Sequence, residues 1–184
     1  VKEGDKVAIV GLGGLGHMGV QIAAAKGAEV TVISRSLRKE KEAYELGAHH
    51  VLATGEDEEF FRNHRGEFDV ILSTISAHYS LDDYLQLLKP RGIMSVVGLP
   101  PEQLGVHMGS LVGGGKVLTG NNIGGIAETQ EMLDFCAEHG IGAVIEKIGV
   151  DDIDAAYERV VAGDVKFRFV IDTATFAGAT SAAV

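Results

Sequence analysis

A glycine-rich segment near the start of the chain is the pattern with the clearest chemical meaning. Gly11, Gly13 and Gly16 form a G-x-G-x-x-G motif that follows an apolar run at residues 6–10. In such a context the first glycine permits a tight turn, the second lets a pyrophosphate approach the backbone, and the third lets a helix pack close to a sheet. The N–H groups at the helix N-terminus favour bound phosphate. We expect a dinucleotide to bind at Gly11, Leu12, Gly13, Gly14, Leu15 and Gly16.

The end of the predicted second strand indicates which dinucleotide is bound. An NAD site has Asp or Glu there, about 20 residues after the motif, bound to the ribose hydroxyl groups. This chain has Ser34 at that place, and basic residues and a further serine follow it. Hydroxyl and cationic groups suit a 2'-phosphate, which a carboxylate would repel. We therefore predict NADP(H) as the cofactor, with contacts from Ser34, Arg35, Ser36 and Lys39.

These residues are positioned by a chain in which short apolar strands alternate with helices. Such alternation indicates right-handed βαβ crossovers, and hence an α/β fold with a doubly wound parallel sheet of Rossmann type. After residue 125 the pattern changes, and the later elements need not continue this sheet. The predicted strands are 6–10, 28–34, 51–53, 68–73, 92–97, 116–120, 143–148 and 167–171, and the predicted helices are 14–26, 37–46, 57–64, 81–88 (stopped by Pro90), 128–139 and 152–161.

Composition excludes several other functions. The net charge of -10 argues against nucleic-acid binding. Neither a membrane-length apolar stretch nor a signal peptide is visible, so we expect a soluble cytoplasmic protein. The single cysteine, Cys136, lies in an apolar stretch and is predicted to be a buried core thiol. Residues 173–184 are small and weakly polar and are expected to fray. The chain begins without methionine and looks like a piece of a longer protein.

The chain has seven histidines, and their spacing does not predict a zinc site within it. His49 and His50 are adjacent at a helix-to-strand loop and are expected to be solvated. His17 follows the glycine loop, which leaves two interpretations open. It lies near the phosphates, or it is a helix-surface histidine.

Longer motifs carry a family resemblance over residues 4–172. The chain resembles the zinc-dependent medium-chain alcohol dehydrogenases, and more narrowly their cinnamyl alcohol dehydrogenase branch with its bacterial NADP-dependent aldehyde reductases. Plant members have an aromatic residue where Asn122 stands, so a cinnamyl-type substrate is not implied. The motifs are GDKV at 4–7, GLGGLGHM at 11–18, LDDY at 81–84, VGLP at 97–100, IGGIAETQEMLDFC at 123–136 and GDVKFRFVID at 163–172.

The resemblance also implies which further residues contact the cofactor. It matches Ser34, Ser36 and Lys39 to the serines and lysine that bind NADP, with Arg35 as an added cation. It places Arg168 near the cofactor phosphates. The residues that it places near the nicotinamide are Thr74, Val97, Gly98, Leu99, Asn121, Asn122 and Ile123.

By the same resemblance, residues 1–122 form the NADP-binding domain and residues 123–184 belong to a catalytic domain that is otherwise missing. That domain would hold the catalytic zinc of an NADP-dependent alcohol dehydrogenase or aldehyde reductase, so this piece alone is expected to be inactive. A homodimer through the edge strand 116–120 is also implied.

Two alternative functions remain open from the sequence. One is a zinc-free NADPH quinone reductase of the same superfamily, against which the motifs at 123–135 and 165–172 argue. The other is a non-enzymatic nucleotide-sensing domain, for which an acidic residue would be expected in place of Ser34 if it sensed NAD. The particular alcohol or aldehyde cannot be predicted from this chain.

Overall fold

The structure is a computed structural model that describes residues 1–176. Its centre is a six-stranded sheet in the order β3-β2-β1-β4-β5-β6, with every pairing parallel. The fold prediction of a parallel α/β sheet of Rossmann type is therefore confirmed. The strands are β1 (Lys6–Val10), β2 (Glu29–Ser34), β3 (His50–Ala53), β4 (Phe68–Ser73), β5 (Leu88–Val96) and β6 (Val117–Gly120).

Helices connect these strands, as parallel pairing requires. None of the helices among residues 1–176 is long and apolar enough to cross a membrane. The helices of this part are α1 (Gly16–Ala25), α2 (Glu40–Glu45), α3 (Phe60–Asn63), α4 (Leu81–Gln86), α5 (Met108–Val112) and α6 (Ile126–Glu138).

The strand order reverses between β1 and β4. The chain after β1 builds the sheet outward through β2 and β3, and it then returns to add β4, β5 and β6 on the other side of β1. In open parallel sheets the loops at such a reversal diverge and leave a crevice at the carboxyl ends of the strands. The glycine motif directly follows β1, so it borders this crevice.

The core lies along the central strands. Val7, Ala8, Ile9 and Val10 of β1 are each at most 1% exposed. A strand of this kind reads as a continuous apolar run because elements pack on both of its faces. Each buried aliphatic or aromatic side chain contributes roughly 1.5–3 kcal/mol to folding. The core cluster around β1, β4 and β5 includes Val10, Ile33, Phe68, Ile71, Leu85, Leu88 and Met94.

The predicted helix 81–88 is wrong at its end. Helix α4 ends at Gln86, and β5 runs from Leu88 through Pro90 to Val96. Leu88 is buried and pairs with Phe68, and the register then shifts before Ile93 pairs with Val70. The proline is accommodated because it lies in this irregular part of the strand. Burial of Leu88 against the sheet therefore decides the boundary, not the helix-stopping effect of Pro90.

Other boundaries differ more modestly from the prediction. The predicted helix 57–64 shortens to α3, because the Asp57 carboxylate accepts a hydrogen bond from the Glu59 N–H at 2.9 Å and holds a turn before the helix. The start of the predicted helix 37–46 is a 3-10 turn, Leu37–Lys39. Helix α5 was not predicted. Its N-terminus is capped by the side chain of His107, which accepts a hydrogen bond from the Gly109 N–H.

The described residues divide into two compact units, and the second begins at Ala143. Helix α6 belongs to the first unit, where Lys26 Nζ lies 4.8 Å from the centre of the Phe135 ring. Gln21 Nε2 also donates a hydrogen bond to the Gly142 carbonyl at 3.2 Å. The predicted domain boundary between residues 122 and 123 concerns a longer protein, and it stays a prediction.

The second unit has its own small sheet, as the change in pattern after residue 125 suggested. Strands β7 (Glu146–Ile148) and β8 (Phe169–Ile171) pair in parallel, with α7 (Ile153–Val161) between them in the chain. Within the part expected to fray, Thr173–Thr175 forms a 3-10 turn, and the Thr175 hydroxyl donates to the Asp172 carbonyl. Residues 177–184 of that prediction lie outside the described residues.

Candidate functional site

The turn after β1 requires glycine at two of its three motif positions. Gly11 has a φ of 91°, in the left-handed region, and its N–H donates to the Ile33 carbonyl at 2.9 Å. A Cβ added to Gly16 would lie 1.9 Å from the Gly11 carbonyl oxygen. Gly16 therefore permits the first turn of α1 to rest directly on the loop. The predicted reason for Gly11 is confirmed, whereas Gly16 permits close packing of the helix against the turn and not against a strand of the sheet.

Gly13 has a different environment. A Cβ added to it would meet no atom within 4 Å, and Gly13 lines a cavity of about 660 Å³. The protein itself thus leaves open the space in front of this backbone. Open space at the N-terminus of α1 is what a pyrophosphate needs, because helix N–H groups there favour phosphate. The residues present therefore fit a dinucleotide.

The same cavity joins the glycine turn to the end of β2. Ser34 and Arg35 line it together with Gly11, Leu12 and Gly13. A cationic residue and a hydroxyl residue therefore line the same cavity as the site predicted for the pyrophosphate. The sequence placed these residues in one site although they are far apart in the chain, and the structure brings them together.

The cavity also has walls that sequence reasoning missed. They come from the carboxyl ends of β3 and β4 and from the helices that follow. Ligands of parallel sheets bind outside the carboxyl ends of the strands, and this rule could have predicted these residues from the sequence. The missed lining residues are Thr54, Phe61, Ile75, Ser76, Ala77, His78, Tyr79, Ser80, Asp83 and Tyr84.

Aromatic side chains form one wall. Phe61 meets Tyr84 edge to face with ring centres 5.2 Å apart, and Tyr84 meets Tyr79 in the same way at 5.5 Å. Burial raises the pKa of Tyr84 to about 12, and burial raises the pKa of Tyr79 against the opposing hydrogen bond from Ser73. Both phenols are therefore uncharged at neutral pH, and this wall presents rings and neutral hydroxyl groups.

Thr74 lies directly after β4, and its side chain is turned toward the glycine turn. Its hydroxyl donates toward the carbonyl oxygens of Val10 and Gly11, at 2.9 and 3.2 Å. The resemblance implied a contact with the nicotinamide at this position. The structure shows the hydroxyl bonded to the protein backbone, and the predicted contact with the nicotinamide stays a prediction.

The residues that follow β5 and β6 lie at the same edge of the sheet, because the two strands are parallel neighbours. Gly98 is buried, and a Cβ added to it would lie 2.8 Å from the Thr74 carbonyl carbon. Leu99 and Ile123 are 78% and 82% exposed. Val97 is half-buried, and Asn121 and Asn122 are exposed. Their predicted contacts with the nicotinamide stay a prediction.

Ser36 and Lys39 are not among the residues that line this cavity, and Arg168 belongs to the other unit. Ser36 is exposed and precedes the 3-10 turn that contains Lys39. Arg168 belongs to the second unit, where it lines an apolar groove of about 370 Å³ with Tyr157 and Phe169. The assignment of Arg168 to the cofactor phosphates stays a prediction.

The histidine and cysteine predictions have mixed outcomes. His17 is fully buried, so the helix-surface interpretation is wrong. Its Nδ1 lies 3.1 Å from the Gly13 carbonyl oxygen, within the glycine loop. His49 and His50 are exposed, and Cys136 is buried, as predicted. Within residues 1–176, no three His, Cys, Asp or Glu side chains converge to hold a metal ion. These residues thus do not fit a zinc ion.

The strand order and the glycine turn at the reversal of the sheet define the first unit as a Rossmann-type domain. Residues 14–138 match the profile of a family described as zinc-binding dehydrogenase. Because that match covers most of the chain, the chain belongs to the zinc-binding dehydrogenase family.

Individual relatives agree with this assignment. The chain is 53% identical to the probable formaldehyde dehydrogenase AdhA of Bacillus subtilis, over 95% of this chain and 50% of that protein. It is 53% identical to the NADP-dependent alcohol dehydrogenase C of Mycobacterium bovis, over 91% of this chain and 48% of that protein. The chain thus spans about half the length of the curated relatives that it matches.

A solved structure supports the fold in detail. The crystal structure of CAD from Helicobacter pylori complexed with NADP(H) superimposes with a TM-score of 0.84 at 41% identity, covering 94% of this chain and 49% of that chain. Because 94% of this chain is covered, the similarity includes residues of both units.

Proposed function

We propose that this chain is the NADP(H)-binding part of an alcohol dehydrogenase or aldehyde reductase. The observation that carries the proposal is the shared cavity of the glycine turn with Ser34 and Arg35. Ser34 occupies the position at which an NAD site has a carboxylate. The names of the relatives support the same cofactor, since one is an NADP-dependent alcohol dehydrogenase and a similar structure is complexed with NADP(H).

The chemistry of the whole protein follows from this proposal. When bound, NADPH would supply the hydride, and the residues of this chain would bind the cofactor and orient it. Gly11 and Gly16 set the turn, Gly13 leaves room for the pyrophosphate, and Ser34 and Arg35 bind the 2'-phosphate. Activation of the carbonyl group is assigned to the part of the protein that relatives have beyond this chain, because the described residues bring together no metal ligands.

Assembly as a homodimer is part of the proposal. Strand β6 is the outermost strand of the six-stranded sheet, and Val117 at its start is 46% exposed. An outer strand has N–H and C=O groups along one side that pair readily with another strand. A two-fold axis would pair the outer strands of two copies of this chain, so that these N–H and C=O groups of both copies form hydrogen bonds. The cytoplasmic location stays a prediction.

The cofactor proposal is tested by the change Ser34→Asp. The carboxylate would face the 2'-phosphate and offer an acceptor to the ribose hydroxyl of NADH. Calorimetric titration should show that the unaltered chain binds NADPH at least tenfold more tightly than NADH, and that Ser34→Asp reverses the order.

Ser34→Ala is the matched control. It removes the hydroxyl without adding charge, so the affinity for NADPH should fall by about tenfold, near the lower end of the worth of one hydrogen bond to a charged group, and the affinity for NADH should not rise. Equal affinity of the unaltered chain for both nucleotides would refute the proposal.

A further inference from the structure

Thr74 stands at the point where the strand order reverses. It follows β4, the strand next to β1, so it faces the glycine turn across the floor of the crevice. Loops on the two sides of such a crevice belong to different crossovers, and the backbone hydrogen bonds between β1 and β4 connect them no farther than Val10. A side chain that reaches across can fix one loop relative to the other.

The contacts of Thr74 show such a connection. Its backbone N–H donates to the Val10 carbonyl at 2.9 Å, and its hydroxyl donates toward the Val10 and Gly11 carbonyl oxygens. A hydroxyl has one proton, so these two acceptors use its donor capacity. A Cβ added to Gly11 would lie 2.8 Å from Thr74 Oγ1, and one added to Gly16 would lie 3.4 Å from it. The hydroxyl therefore sits inside the turn, next to both structural glycines.

The turn is held from its other side as well. The Gly11 N–H donates to the Ile33 carbonyl of β2. Behind Thr74, the backbone of Gly98 packs so closely against residues 74 and 75 that it leaves no room for a Cβ. The backbone at Thr74 is therefore packed against the segment after β5, and its hydroxyl contacts the turn from this packed position.

We propose that Thr74 is a positioning residue, whose hydroxyl holds the Gly11 turn in the conformation that presents the helix N-terminus to the cofactor pyrophosphate. This inference rests on the proposed function for the identity of the ligand. It differs from the role that the family resemblance implied, in which Thr74 itself lies at the nicotinamide.

The test compares Thr74→Val with Thr74→Ser. Valine keeps the shape of threonine and removes the hydroxyl, whereas serine keeps the hydroxyl. Two probes separate the parts of the site: NADPH, which has the pyrophosphate, and adenosine 2'-monophosphate, which lacks it. Thr74→Val should lower the affinity for NADPH by about tenfold, the worth of a lost hydrogen bond at the turn. The affinity for adenosine 2'-monophosphate should stay within about twofold, and Thr74→Ser should bind both probes like the unaltered chain.

Hydrogen exchange without nucleotide provides an independent measurement. In Thr74→Val the peptide covering residues 10–16 should exchange several-fold faster, while the peptides of β2 and β5 keep their rates. Equal weakening of both probes would overturn the inference, because it would show general damage. Loss of NADPH binding in Thr74→Ser, or unchanged exchange in Thr74→Val, would also overturn it.

The result for the unaltered chain distinguishes the two proposals. If it does not bind NADPH, the proposed function fails, and the assignment of the turn to a pyrophosphate fails with it. If it binds NADPH and Thr74→Val binds equally well, only the role of Thr74 is refuted.

Discussion

Two glycines of the same motif should respond in opposite ways to the same small change. Gly16→Ala would put a Cβ 1.9 Å from the Gly11 carbonyl oxygen, whereas Gly13→Ala would put one into open space. Ordinary contacts begin at 3.4 Å, so in Gly16→Ala the turn and α1 must separate by about 1.5 Å. Both neighbours are backbone, and neither can yield by rotating a side chain. Each variant adds one methyl group, so each is the control for the other.

The expected magnitudes follow from this difference. Overpacking against backbone costs about 1–3 kcal/mol or more, and in a chain of this size each 1 kcal/mol lowers Tm by roughly 2–4 °C. Gly16→Ala should therefore lower Tm by roughly 2–12 °C. Gly13→Ala should keep the Tm or raise it slightly, because alanine restricts the unfolded chain by about 0.4–1 kcal/mol. Gly13→Ala should nevertheless lower the affinity for NADPH by at least tenfold, since its Cβ takes the space left for the pyrophosphate.

Thermal unfolding by circular dichroism without nucleotide measures the first effect, and calorimetric titration with NADPH measures the second. The reasoning is refuted if Gly16→Ala has the same Tm as the unaltered chain, since the close contact would then have no energetic consequence. It is also refuted if Gly13→Ala binds NADPH with unchanged affinity. Equal loss of stability in both variants would show that the motif tolerates no methyl group anywhere, against the environment of Gly13.

Three further changes have defined outcomes. Burial acts to raise the pKa of Asp69, but hydrogen bonds from Lys89 and the Lys6 N–H outweigh it and lower the pKa. Urea unfolding should therefore show Asp69→Asn less stable at neutral pH. The difference should begin to shrink near pH 3.8, where the unfolded carboxylate is protonated, and should be lost as the pH falls further through the lowered pKa of the folded Asp69. Arg91 has a φ of 64°, so Arg91→Gly should raise the free energy of unfolding by about 0.5–1 kcal/mol; Arg91→Ala, which keeps a Cβ, should not. Val117→Lys places charge on the outer strand and should turn the proposed dimer into a monomer in light scattering, whereas a persisting dimer would locate the interface elsewhere.

Elements with strong local signals were predictable from the sequence. Strands β1 and β4 match their predicted ranges, because each is an apolar run bounded by turn residues. The end of α4 was not predictable, since nothing local indicates that Leu88 would pair with Phe68. Helix α5 is short, and its cap is a histidine, a residue that ordinary capping patterns do not include. Burial and long-range pairing decide such boundaries.

The sequence by itself determined the glycine turn and the absence of a carboxylate at Ser34, the end of β2. Gly11 and Gly16 are identifiable because the backbone there tolerates no side chain, a requirement that acts within a few residues. Only the tertiary structure decided the rest of the site. The aromatic wall of Phe61 and Tyr79, and the direction of the Thr74 hydroxyl, depend on which strands become neighbours. Strand neighbours are set by long-range pairing in the sheet, so residues distant in the chain enter the site without a local signal.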